Sequence, residues 1–357
     1  MTKQSYLSHS KIDIYFKQSK DDFVVDEIPL YPFSGSGEHI VLKIRKKDLT
    51  SWQMISDLSN HIGCNHREFG YAGLKDKNAL TTQYISINKK YEERLSSFSH
   101  NKIKILDKTY HNNKIKIGHL KANKFFIRLK RAKPQDIPKL NNILQKISQY
   151  GMPNYFGEQR FGIDGDNYKY GQMILKGEKK EKNKKLKKLF ISAYQSYNFN
   201  NWLNKRVEIS NLVTQFSKDE LKNILDFDER SIKQLKSQKH PFKLMLGDIM
   251  NHYPYGKTFE LEHMQDEVSR FEQKLISPTG LLCGIKTKFA TKDASVYEKE
   301  FLPDFSLDID GSRRYAWVFP QDIKSAYKEE KNHFEVEFIL PKGSYATELI
   351  RIMRNSE

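Results

Sequence analysis

Cysteine is nearly missing from this 357-residue chain: Cys64 and Cys283 are the two it has. Two are too few for a disulfide framework, and a reducing compartment is the simple reading. Long apolar runs are missing too, since none approaches the roughly 18 residues that span a bilayer. The N-terminal stretch "MTKQSYLSHSKIDIYFKQ" has no apolar h-region, so no signal peptide is expected. These absences lead to the expectation of a cytoplasmic protein with no membrane association. Nucleotide loops are likewise absent. No GxxxxGK[ST] occurs, "GSGEHI" lacks the third glycine of a dinucleotide fingerprint, and no GxSxG elbow appears. His61, Cys64 and His66 have loose metal-ligand spacing, but no second cluster completes a site, and no metal is expected.

What the chain has in excess is positive charge. Lys and Arg total 61 against 44 Asp and Glu, a formal charge of +17. Such a balance favours a polyanionic partner, nucleic acid first. With 22 Phe and 19 Tyr the chain can still build a core, which a disordered basic tail cannot.

Periodicity divides the chain into strand-rich, helix-rich and strand-rich stretches. "DFVVDEIPLY" and "GSGEHIVLKIRKKDLT" read as strands, the second with Ile40, Leu42 and Ile44 in alternation. Thr50 or Ser51 caps a helix that Gly63 ends. "NKIKILDKTY" and "NKIKIGHLKANKFFIRLKRA" have period 2. "QDIPKLNNILQKISQYG" is helical, with Ile137, Leu140, Ile143, Leu144 and Ile147 on one face. From about 164 to 305 the pattern is mostly helical, with eight lysines between Lys176 and Lys188. Phe334, Val336, Phe338 and Leu340 then alternate as a strand before a final helix. A helical insertion inside one α+β domain explains this order, because the last strands can pair with the first. The last 50 or so residues are too few to bury a core of their own.

The chemistry centres on "REFGYAGLKDKNALTTQYISI", where Asp76 stands between Lys75 and Lys77. Read alone, this is a surface turn with a solvated acid. Gly70 and Gly73 nevertheless permit close backbone approach, and neighbouring cations keep a carboxylate ionised in a partly dry pocket. An ionised, oriented Asp serves as nucleophile or base.

"GYAGLKDKNALTTQ" resembles the signature of the TruD family of tRNA pseudouridine synthases, around the Asp essential to that family. Further segments match in the family's order: "KQSKDDFVVDE", "SGEH", "GHLKANKF", "PNYFGEQRFG", "SAYQSYNFN", "SRRYAWVFP" and "LPKGSYATELIR". Together they cover almost the whole chain. Departures are Gln195 where the family often has Arg, "LLCG" without the usual proline, and Ile352 where Glu is common after Arg351.

The resemblance implies isomerisation of a uridine, at position 13 in the D-arm of tRNA, without cofactor or metal. The N-glycosidic bond breaks, the base turns, and C5 joins C1′. Asp76 takes the carboxylate role, attacking C1′ or abstracting a 2′ proton. Lys17 matches a family basic residue that can pair with Asp76. Phe23, Asn123, Phe125 and Tyr345 match substrate-contacting positions of the family pocket. On pattern alone, Lys17 is a solvated lysine, Phe23 and Phe125 are strand core, Asn123 is a turn residue, and Tyr345 packs at a helix start. Glu158 and Arg160 of "NYFGEQRFG" are expected to form an ion pair at the insertion junction. The 176–188 lysines are expected to touch phosphates, which positions RNA without reading sequence.

The implied fold is a mixed, mainly antiparallel α+β catalytic domain built from both chain ends, 1–160 and 306–357. A helix-rich α/β insertion domain occupies 161–305. The contrasting reading is a non-catalytic RNA-binding or RNA-chaperone module. A methyltransferase is a further alternative that no glycine-rich nucleotide loop supports.

Overall fold

A computed structural model describes residues 3–17, 19–305 and 309–355. Gln18 of the "KQSKDDFVVDE" segment and 306–308, where the second catalytic piece is expected to begin, lie outside the described residues. The described chain forms two compact units. One comprises 12–144 and 320–343; the other comprises 1–11, 145–319 and 344–357.

The first unit is an eight-stranded sheet. Its order is Gln321–Lys328, His333–Pro341, Leu120–Lys130, Phe23–Pro29, Leu80–Asn88, His39–Lys46, Ile103–His111, with Gly70–Tyr71 beside Leu80–Asn88. Every pairing is antiparallel except Phe23–Pro29 with Leu80–Asn88. The late strand His333–Pro341 runs beside Leu120–Lys130 over nine register pairs, His333 with Lys130 through Pro341 with Ala122. Strands from both chain ends therefore share one sheet, as their alternation implies.

The helix Ser51–Ile62 covers part of this sheet. Thr50 and Gln53 form a capping box, and Gly63 closes the helix in the left-handed region. Met54, Ile55 and Leu58 pack on Ile40, Leu42, Ile44, Ile85 and Ile87, all at or near zero exposure. One expected strand does not form: 114–118 of "NKIKIG" is irregular. Its backbone is engaged outside any ladder, with Ile115 N–H donating to Ser86 Oγ and Gly118 N–H to Ala72 O. Gly70 is required here because a Cβ would collide with Ile115 O and Ser86. Gly73 has open space around it, so close approach does not explain that glycine.

The second unit is built on the 32-residue helix Lys184–Gln215, capped by Asn183. Its helical pattern hides a four-stranded sheet, ordered Ser312–Tyr315, Ile276–Leu282, Ile249–His252, Thr258–Glu260. These strands are short, and Ile276–Leu282 contains Pro278 and Gly280, so propensity argues against them. Gly280 is where the helix meets the sheet, since a Cβ there would strike the Trp202 ring. Trp202, Phe199, Leu203, Phe242 and Trp317 form the core around that contact. By packing, 145–160 and the final helix Ala346–Arg354 belong with this unit, so the compact units do not follow the boundaries expected at 160/161 and 305/306. Tyr155, Phe156 and Met353 are buried there.

Arg206 is fully buried in the same unit. Its guanidinium donates to Asp248 Oδ1 at 2.6 Å and Oδ2 at 2.9 Å, and to Lys243 O at 3.0 Å. Removing one partner of such a pair strands a buried charge. Asp248→Ala is expected to cost about 3–5 kcal/mol of stability, read as a lower urea midpoint; an unchanged midpoint would rule out the pair as a structural tie.

Candidate active site

Asp76 lies on the loop that leads into the Leu80–Asn88 strand. Three neighbours fix that loop from different directions. Lys46, wholly buried, donates from Nζ to Leu49 O at 2.7 Å, Asp76 O at 2.9 Å and Lys75 O at 3.4 Å. Ser51 Oγ accepts from Lys75 N–H at 2.9 Å and donates to Gln83 Oε1 at 2.8 Å. The Lys75 ammonium points into the sheet unit, donating to Asn123 Oδ1 at 2.6 Å and meeting Glu27 Oε2 at 3.2 Å. Glu27 and Asn123 are themselves register partners on adjacent strands. Lys75 thus pins the loop to two strands at once.

This arrangement explains a lone acid between two bases. Lys75 serves as an anchor and Lys77 is exposed. The carboxylate between them has no ion-pair partner within 4 Å among the described residues. Asp76 is open to solvent, yet enough protein surrounds it that desolvation raises its pKa above the ordinary carboxylate value. Lys46 and then Lys75 act in the opposite direction. Burial lowers the Lys46 pKa to about 8, an effect only partly offset by Asp76.

The expected pairing of Asp76 with Lys17 does not form. Lys17 is exposed, and the cations that act on Asp76 are Lys46 and Lys75. Neither Lys46 nor Glu27 stands out in the sequence motifs, although a signal exists. Lys46 continues the parity of Leu42 and Ile44, so it is a lysine on the buried face of its strand. Burial raises the Glu27 pKa, with Lys75 opposing.

Phe23, Phe125 and Asn123 stand on the same sheet unit. Phe125 is stacked between Phe23, with ring centroids 6.0 Å apart, and Phe338, at 5.4 Å. Phe23 and Phe125 are both buried, so each is part of the core as well as a candidate contact. Tyr345 belongs to the other unit, immediately before the helix Ala346–Arg354. Its ring meets Phe156 at 6.1 Å. There the Arg314 guanidinium lies 3.9 Å from the Phe156 ring centroid and donates to Asn154 O and Oδ1, each at 3.0 Å. Burial lowers the Arg314 pKa to about 10. The expected Glu158–Arg160 ion pair does not form. Glu158 is exposed and Arg160 donates instead to Ser196 Oγ at 3.1 Å. Gln195, the departure from the family pattern, donates to Cys283 O at 2.7 Å and Asp310 O at 3.2 Å. Among the described residues no group of three metal-ligating side chains is assembled, and no helix is long and apolar enough to cross a membrane.

A mainly antiparallel sheet drawn from both chain ends, with helices packed on it and Asp76 on an anchored loop, defines a protein of the α+β class. The family model described as tRNA pseudouridine synthase D (TruD) matches residues 2–183 and 180–353, and the chain belongs to that family. It is 54% identical over 350 residues to a tRNA pseudouridine synthase D of Nitratiruptor sp., covering 98% of this chain and 97% of the relative. It is 53% identical over 344 residues to one of Sulfurimonas denitrificans, covering 96% of each. A crystal structure from Methanosarcina mazei that carries the TruD description superposes with a TM-score of 0.64 at 20% identity, covering 99% of this chain and 96% of that one, which establishes the fold.

Lys46 lowers the Asp76 pKa, so its removal acts upward. Lys46→Met is expected to move the Asp76 carboxyl titration to higher pH, read by carboxyl carbon NMR. An unmoved titration would detach Lys46 from the electrostatics of the site.

Proposed function

We propose that this chain isomerises uridine 13 in the D-arm of tRNA to pseudouridine, with Asp76 as the working carboxylate. Family membership supplies the class, pseudouridine formation in tRNA. The single observation that carries the residue assignment is the state of Asp76. Its backbone is held by Lys46, Lys75 holds its loop, and its carboxylate is left without a protein partner among the described residues. Solvated surface acids are unpartnered too; Asp76 differs in that its loop is anchored by Lys46, Lys75 and Ser51 while desolvation raises its pKa.

The target uridine leaves its stack at a cost of a few kcal/mol and enters the protein base-first. The Asp76 carboxylate then acts at the ribose, where the C1′–N1 bond breaks and the C1′–C5 bond forms. The proton on C5 is lost and N1 gains one, so the product is an isomer and nothing is consumed. On the sheet unit, the buried rings of Phe23 and Phe125 form the apolar backing behind the freed base, and Asn123 a polar edge beside Lys75. Tyr345, carried by the other unit, is a further aromatic contact for the substrate. Lys17 and the 176–188 lysines contribute charge toward phosphates. In this reading the functional division is a catalytic part, 1–160 and 306–357, and a TRUD-type insertion, 161–305, working in the cytoplasm without a cofactor.

Asp76→Asn preserves shape and removes the charge. It is expected to retain tRNA affinity and to abolish pseudouridine formation, read by carbodiimide-adduct mapping of a transcribed tRNA. Product from the variant would remove Asp76 from the chemistry. Wild-type protein that binds tRNA yet yields no product would favour the non-catalytic RNA-binding module.

The pH dependence follows from burial. The reacting form is the carboxylate, and its pKa is raised. Single-turnover rate should therefore fall on acidification with a midpoint above that of an ordinary Asp. A midpoint at or below the ordinary value would contradict the desolvation of Asp76.

A further inference from the structure

A groove of about 510 Å³ opens at the edge of the eight-stranded sheet, beside the Asp76 loop. Arg45, Lys46, Lys47, Lys102 and Lys104 line it, and no Asp or Glu among the described residues does. Arg45 and Lys104 are direct register partners across the antiparallel pair. Lys47 N–H donates to Lys102 O at 3.0 Å, which adds a second rung. Residues two apart on a strand share a face. Arg45, Lys47, Lys102 and Lys104 therefore form a two-by-two block of cations on one face.

Like charges placed directly opposite each other on a sheet are destabilising. Two common explanations for such a cost fail here. The first is internal neutralisation. Arg45 Nε directs its hydrogen bond to the neutral Thr82 Oγ1 at 3.3 Å. Among the described residues the one acid in ion-pair range of a lining side chain is Asp57, 3.6 Å from His100 and not from the four cations. The second is protection of a sheet edge, for which lysines are widely used. That accounts for Lys102 and Lys104, which flank and occupy the edge strand Ile103–His111. Arg45 lies one strand further in and Lys47 just beyond that strand's end, where edge protection asks for no charge.

We infer that this groove is a phosphate-binding site that takes the backbone of the tRNA substrate on the way to Asp76. The assignment of the RNA rests on the function proposed above. Lys46 joins the two sites physically, since it lines the groove and also holds the Asp76 backbone. The rings of Phe98 and His100, parallel within 4° with centroids 6.3 Å apart, add a flat aromatic wall on which a base can stack.

The test uses full-length protein and an unmodified tRNA transcript, titrated over a range of salt. Each phosphate that the protein neutralises contributes roughly 1 to the slope of log affinity against log salt. Lys102→Gln with Lys104→Gln should reduce the slope by about 2 and weaken binding at low salt by roughly tenfold or more. Lys102→Glu with Lys104→Glu should weaken binding further while keeping or raising Tm, because acids then face Arg45 and Lys47. Opposite movements of affinity and Tm are what a merely structural role does not produce. Unchanged affinity and slope in the glutamine variant would overturn the site, and would point to a protein partner or to edge protection alone. Pseudouridine formation by the wild type is read separately. Groove-dependent binding without product overturns the proposed activity and leaves the groove standing. Product with groove-independent binding does the reverse.

Discussion

The site depends on one buried ammonium. Lys46 is wholly enclosed, and it satisfies backbone carbonyls at Leu49, Lys75 and Asp76. A charged group costs several kcal/mol to bury, and hydrogen bonds to carbonyls offset only part of that. The lowered pKa of Lys46 records the remaining deficit. What the arrangement gains is position. The loop bearing Asp76 is held by its main chain, so the side chain is not needed for holding and stays available. Lys75 completes the arrangement through Glu27 and Asn123, which tie the loop to two further strands.

This division of labour makes the local electrostatics coherent. Desolvation pushes the Asp76 pKa up, which makes the carboxylate a better base and nucleophile when ionised. Two nearby cations keep that shift within bounds. A fully paired acid would be ionised but occupied, and a fully dry, unpaired one would be neutral. Asp76 sits between those limits. Its positive surroundings also suit an anionic substrate, whose own charge tends to raise a carboxylate pKa further.

Much of this is legible in the residues. The alternation of Phe334, Val336, Phe338 and Leu340 announces a strand with no partner nearby in sequence, and pairing with the early strands follows. Thr50 and Gly63 mark both ends of a helix through their backbone chemistry. Asp76 and its motif stand out through family resemblance, where pattern alone leaves a turn. The interior of the second unit is not legible: Pro278 and Gly280 argue locally against a strand that Trp202 packing stabilises. The anchor of the Asp76 loop escapes for a similar reason. Lys17 is the lysine that a matching motif suggests, whereas Lys46 works because it is on the buried parity of its strand. Only the folded chain tells which of many lysines turns inward.

The ring column Phe23–Phe125–Phe338 joins an early strand, a middle strand and a late one. Its last member is synthesised long after Asp76 and Asn123. A nascent chain that already carries those two residues still lacks the strand that pairs with the one bearing Asn123. Completion of this part of the sheet is thus deferred until late in translation, because the ring column closes only when its last strand has emerged.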